Sequence, residues 1–189
     1  MIVKNPNYAE VEKTFSQFER KANAKIMTKS NGGKHWATIK SMTSFFDLNE
    51  INVFNKAKMN KFKNSGWIEY RIFMSPKINA FASTYNELQY LGFNFGLLYS
   101  IRDTFMSLFS TKEFLPEIGD SKNEISNIYD FQESFIYNRN MAKYFNLIPK
   151  CKTRQQCADS MTNLALIFVY MHEVLHLAQC HSILHKNLY

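Results

Sequence analysis

Met171-His172-Glu173-Val174-Leu175-His176-Leu177 lies at the end of a long apolar segment near the C-terminus and sets how the rest of the chain is read. Histidines four residues apart project from one face of a helix, so His172 and His176 can grip a single metal ion. Glu173 lies beside them, at the angle needed to work on water activated by that ion. H-E-x-x-H on a helix is therefore the pattern of zinc hydrolysis. Two imidazoles bind Zn²⁺ at about 2.0–2.1 Å and leave places for a third protein ligand and a water, whose proton Glu173 takes as base.

The helix around the motif starts near Thr153 or Arg154. Between Leu164 and Met171 it is apolar nearly all round, which predicts a central buried helix. Working outward, apolar residues at three-to-four spacing predict an amphipathic helix over 8–27, through Phe15 and Ile26. Lys29-Ser30-Asn31-Gly32-Gly33-Lys34 reads as a mobile loop, without the first glycine and the hydroxyl residue that a phosphate loop needs. Residues 36–55 are apolar without one clean period and read as a helix followed by an irregular segment. Lys56 to Asn64 is a polar, basic stretch.

Trp67–Phe73 mixes aromatic, β-branched and polar residues between turn formers and predicts a strand. Leu88–Phe95 predicts a second, and together they suggest an antiparallel pair. Helices are expected from Gly96 to about Phe109 and from Phe131 to Phe145, with loop or broken helix over 111–129 and a break at Pro149. The resulting fold class is α+β: a mainly helical single domain, 1–189, with a small antiparallel sheet and the buried motif helix.

Composition agrees with a packed protein. The chain has 189 residues, 46% of them hydrophobic and 15% aromatic, more than a disordered chain carries. Its three cysteines, Cys151, Cys157 and Cys180, are too few and wrongly spaced for a disulfide framework or a zinc ribbon, so they read as free thiols in a reducing interior. Neither a secretory leader nor an apolar run of about 20 residues is apparent, which predicts a cytoplasmic protein without a membrane span. Residues 1–75 hold thirteen Lys/Arg against six Asp/Glu, while 76–189 hold ten of each. The net charge of +7 is thus N-terminal. No Arg-rich patch with stacking aromatics accompanies it, so a nucleic-acid-binding module is the weakest reading.

The run from Leu166 through His172, Glu173 and His176 to His181 resembles the active-site helix of gluzincin metallopeptidases. Asn79-Ala80-Phe81-Ala82 is similar to the N-A-F-A segment of the CAAX-prenyl-protease-like branch, and Phe95-Gly96-Leu97-Leu98 to the strand-to-helix step after it. The Lit-type phage-exclusion peptidases have a comparable helix. The likeness covers roughly 78–98 and 161–182 and leaves the basic N-terminal portion, about 1–65, unrecognised. It implies a zincin-like fold, a Zn²⁺ cofactor on His172 and His176, Glu173 as base, and a peptide or protein substrate paired to an edge strand at Asn79, Ala80, Phe81 and Ala82. Small residues there let another backbone approach, and a plain loop is the alternative.

Gluzincins draw a third ligand from a glutamate on a later helix, and nothing acidic follows Glu173 here. His181 is the candidate in its place. On a continuing helix it would point about 180° away from His172, so it needs the helix to break near Gln179; His185 is placed no better. Asp159, Glu133 and Asp130 are earlier acids that the fold could bring in, although Asp159 lies nearly 20 Å up the same helix at about 1.5 Å per residue. A truncated enzyme, or a catalytically incomplete interaction protein on the same scaffold, is the remaining alternative.

Overall fold

A computed structural model describes residues 8–22, 24–57, 68–85, 88–126 and 147–179. In chain order the described elements are helix α1 (Tyr8–Ala22), α2 (Lys29–Ala57), strands β1 (Ile68–Phe73), β2 (Ala80–Tyr85) and β3 (Leu88–Asn94), α3 (Phe95–Phe109) and α4 (Lys152–Ala178). The mixture of helices with a small sheet is α+β. No described helix is long and apolar enough to cross a membrane. The expected helix over 131–145 falls outside the described residues.

The chain divides into two compact units, one of residues up to Leu98 together with those from Ile167, the other of Tyr99–Leu166. In the first, the sheet order is β1-β3-β2, with β1 parallel and β2 antiparallel to β3. The expected antiparallel pairing of the first and second predicted strands is therefore corrected. Between them the segment read as loop forms β2, so the chain passes β3's place before β3 fills it. β3 belongs in the middle because consecutive residues, Tyr90, Leu91, Gly92 and Phe93, are buried, as suits a strand covered on both faces.

One sheet face is packed by α1. Phe15 meets Tyr90 at 5.6 Å between ring centroids, and the Arg71 guanidinium lies 4.6 Å over Phe15. Phe81 belongs to this face, and its ring crosses Gly92 so closely that a Cβ there would stand 2.1 Å from it. The opposite face is packed by α2 through Phe46, which touches Tyr70 at 5.1 Å and Phe93 at 5.0 Å.

Two predicted boundaries move. Helix α1 stops at Ala22 rather than reaching residue 27, because the Glu19 carboxylate accepts the Ile26 N–H at 2.7 Å and draws that residue into an antiparallel bridge with Phe73. The predicted loop at 29–34 is helical from Lys29. Thr28 caps it, donating its N–H to Asn31 Oδ1 at 2.7 Å and accepting the Asn31 N–H on Oγ1 at 3.3 Å, a reciprocal capping box. The glycines express themselves instead as a kink at Gly33, whose φ of 51° is left-handed. The irregular segment expected before residue 55 is also absent, since α2 stays helical to Ala57.

In the second unit Met106, Phe109 and Ala158 form a small core. Beside it lies Arg154, fully buried, with its guanidinium donating to the carbonyls of Phe109, Thr111, Phe114, Leu115 and Ile118 at 2.7–2.9 Å. The loop after α3 is thus wrapped around one side chain. Buried Glu124 accepts the N–H groups of Lys150 and Cys151, satisfying donors at the start of α4. Cys151 and Cys157 are free thiols, as expected, and Cys180 lies outside the described residues.

Candidate metal centre

Helix α4 carries the motif, and its turns sort the side chains by face. Ala158, Thr162, Leu166, Tyr170, Val174 and Leu177 are buried, whereas Leu164, Phe168 and Leu175 are 60, 73 and 50% exposed. The expectation of a helix buried all round is corrected. Four-residue steps place one stripe inward and leave an apolar stripe outward.

Tyr170, on the inward stripe, stacks on Phe46 at 4.8 Å and 22° and lies 6.4 Å from Phe93. The C-terminal part of α4 is therefore seated on the sheet face that α2 also packs. Two residues on, His172 is exposed, and His176 is partly so. Their Nε2 atoms are 3.0 Å apart, and the rings meet edge to face at 88°. The two ring nitrogens are within hydrogen-bond reach of each other, with donor and acceptor roles set by the tautomer. Nitrogens bound at about 2.05 Å to a tetrahedral Zn²⁺ lie roughly 3.3 Å apart, so little movement would bring the two Nε2 atoms to the spacing of a shared ion. These two residues fit a metal.

Glu173, unlike the two histidines, is buried, at 8% exposed. Burial pushes its carboxyl above the usual carboxylate range, and His176 and His172 pull it only part of the way back. A carboxylate held above its ordinary pKa accepts a proton more readily, which is the property a general base needs.

Among the described residues no group of three His, Cys, Asp or Glu is placed to share a metal with the histidines. Asp159 is exposed and thirteen residues earlier on the same helix, as the sequence implied. His181, His185, Glu133 and Asp130 lie outside the described residues.

Ala80–Tyr85 is a strand and occupies a sheet edge, with Asn79 just before it accepting the Asn94 N–H at 3.1 Å. In the β2–β3 register Ala80 pairs with Phe93 and Ala82 with Leu91. Both alanines thus belong to the face on which Tyr170 is stacked, and Phe81 belongs to the other. Tyr170 and Phe46, which hold the motif helix, are not among the residues that the motif itself points to. Their signal in the sequence is an aromatic residue, Tyr170, on the helix face opposite the histidines.

Comparison with family models, with curated proteins and with solved structures finds no match.

Proposed function

We propose that the chain is a zinc-dependent peptidase of the zincin type, with His172 and His176 as metal ligands and Glu173 as base. The observation that carries this reading is the approach of the two Nε2 atoms to 3.0 Å beside a buried carboxyl of raised pKa. Zn²⁺ held there would polarise a peptide carbonyl and acidify a water. Glu173 would take the proton from that water as its oxygen attacks the carbonyl carbon, then hand the proton to the departing amide nitrogen as the C–N bond breaks. The edge strand β2 would hold the substrate backbone by adding it as a further strand, with Ala80 and Ala82 leaving room on the face where α4 sits.

Metal analysis of the purified protein tests the first half of this reading: one Zn²⁺ per chain is expected, lost in His172→Ala. Zinc-free wild-type protein would sink it. Peptide cleavage by wild type that disappears in Glu173→Gln, with the metal retained, tests the second half. Zinc without cleavage would leave the chain as an interaction protein on the same scaffold.

A further inference from the structure

A cleft of about 600 Å³ lies against strand β1 between α1 and α2, a size that suits a small organic molecule. All its walls belong to the first unit, and none comes from α4. Buried Met27, Ile39 and Ile72 supply apolar surface, and half-buried Trp36 adds an indole from α2. The Thr43 hydroxyl, also in the wall, already donates to the Ile39 carbonyl at 3.0 Å.

Charge in the cleft is not balanced. Lys25, Lys29, Lys40 and Arg71 line it against Glu12, Glu19 and Glu69, four cations to three carboxylates. Each carboxylate is engaged within the protein: Glu69 and Glu12 hold Arg71 at 2.9 and 3.4 Å, and Glu19 accepts the Ile26 N–H at 2.7 Å. Among the described residues neither Lys25 nor Lys29 is ion-paired, and both are exposed where the chain turns into α2. The one cation with a planar fork, Arg71, is thus taken by carboxylates. The two lysines present point charges on flexible stems, which suit the oxygens of a phosphate. In the same cleft Trp36 offers a flat aromatic surface of the kind on which a nucleobase stacks.

We infer that this cleft binds a small phosphorylated molecule with a flat ring, of the mononucleotide class, its phosphate at Lys25 and Lys29 and its ring against Trp36. The phosphate meets the unmatched lysines, and Met27, Ile39 and Ile72 give the ring an apolar bed. The site is separate from the histidine pair and independent of metal.

The test titrates the full chain calorimetrically with adenosine 5′-monophosphate at about 50 mM salt, where screening is weak. A Kd of about 0.1 mM is expected, with adenosine, which lacks the phosphate, and ribose 5-phosphate, which lacks the ring, each about 10-fold or more weaker. No binding of the nucleotide at about 1 mM overturns the proposal. Ribose 5-phosphate binding as tightly as the nucleotide would mean an adventitious ion only and overturns it too. Both lysines are exposed, so the double variant Lys25→Ala/Lys29→Ala keeps the fold and should bind the nucleotide no better than wild type binds adenosine. Trp36→Leu should bind it no better than wild type binds ribose 5-phosphate. Wild-type affinity in the lysine variant overturns the proposal. His172→Ala should bind the nucleotide as wild type does; loss there would place the ligand at the histidines and overturn the assignment to this cleft.

Discussion

Phe46 and Tyr170 stack with centroids 4.8 Å apart, and through this contact the helix bearing the two histidines is held on the sheet. Both rings are fully buried. Tyr170→Ala should therefore cost about 3–5 kcal/mol in urea denaturation, whereas Tyr170→Phe keeps the stack and should change stability far less. If the seat also sets the approach of the histidines, Tyr170→Ala will weaken zinc binding measured by chelator competition. Unchanged zinc affinity would show that the pair is organised by α4 alone.

Glu173 is held at a cost to stability. Its folded pKa is raised, so its contribution to stability is present at low pH and is lost as pH rises through that value. Gln has no charge to bury. Glu173→Gln should raise the thermal midpoint at neutral pH and leave it little changed in acid, while abolishing cleavage. A lower midpoint at neutral pH would show that the carboxylate is needed for the fold.

Arg154 answers five carbonyls with one planar fork. Lys cannot reproduce that geometry, so Arg154→Lys should destabilise by at least about 3 kcal/mol, close to the effect of Arg154→Met. Urea midpoints of the two variants check this; a Lys variant near wild type would mean that charge, and not the fork, matters.

Asp103 provides a pH signature. Burial raises its pKa from 3.8 to about 6, with adjacent Arg102 opposing the shift. The folded protein thus holds this proton more tightly than the unfolded chain, and stability falls as pH rises from about 4 to about 6. Asp103→Asn removes the effect. The variant should gain on wild type across that interval and remain more stable by on the order of 1 kcal/mol at pH 7, allowing for partial solvent screening. Denaturation at pH 4 and pH 7 checks the sign.

Local signals in the sequence carried much of the architecture. Turn formers on either side of Trp67–Phe73 announced β1, and the break at Pro149 announced α4 to within a residue or two. What failed depended on partners distant in sequence. Ile26 continues the helical period of α1, yet Glu19 and Phe73 take it into a bridge. Gly32-Gly33 looked like a loop because the Thr28–Asn31 cap is made by side chains, not by composition. The exposure of Phe168 and Leu175 was hidden because an apolar residue does not say which way its helix faces. For the candidate metal centre, the spacing of His172 and His176 was legible in full, but Tyr170's role depends on Phe46, which stands 124 positions earlier in the chain.

The placement of β3 between two strands made before it has a consequence for synthesis. As the chain leaves the ribosome, β1 emerges with only the short bridge at Ile26 to pair with among the described residues, and β2 follows without bonding to it. Both become a sheet only when β3 arrives and satisfies the two at once. Until then their backbone edges can pair with other chains. The connection is short, with Leu88 only fifteen residues beyond Phe73, so the exposed interval lasts on the order of seconds at typical elongation rates. Substitutions that slow β3, such as Leu91→Ala, should lower the soluble yield of the nascent protein by more than their effect on the finished fold.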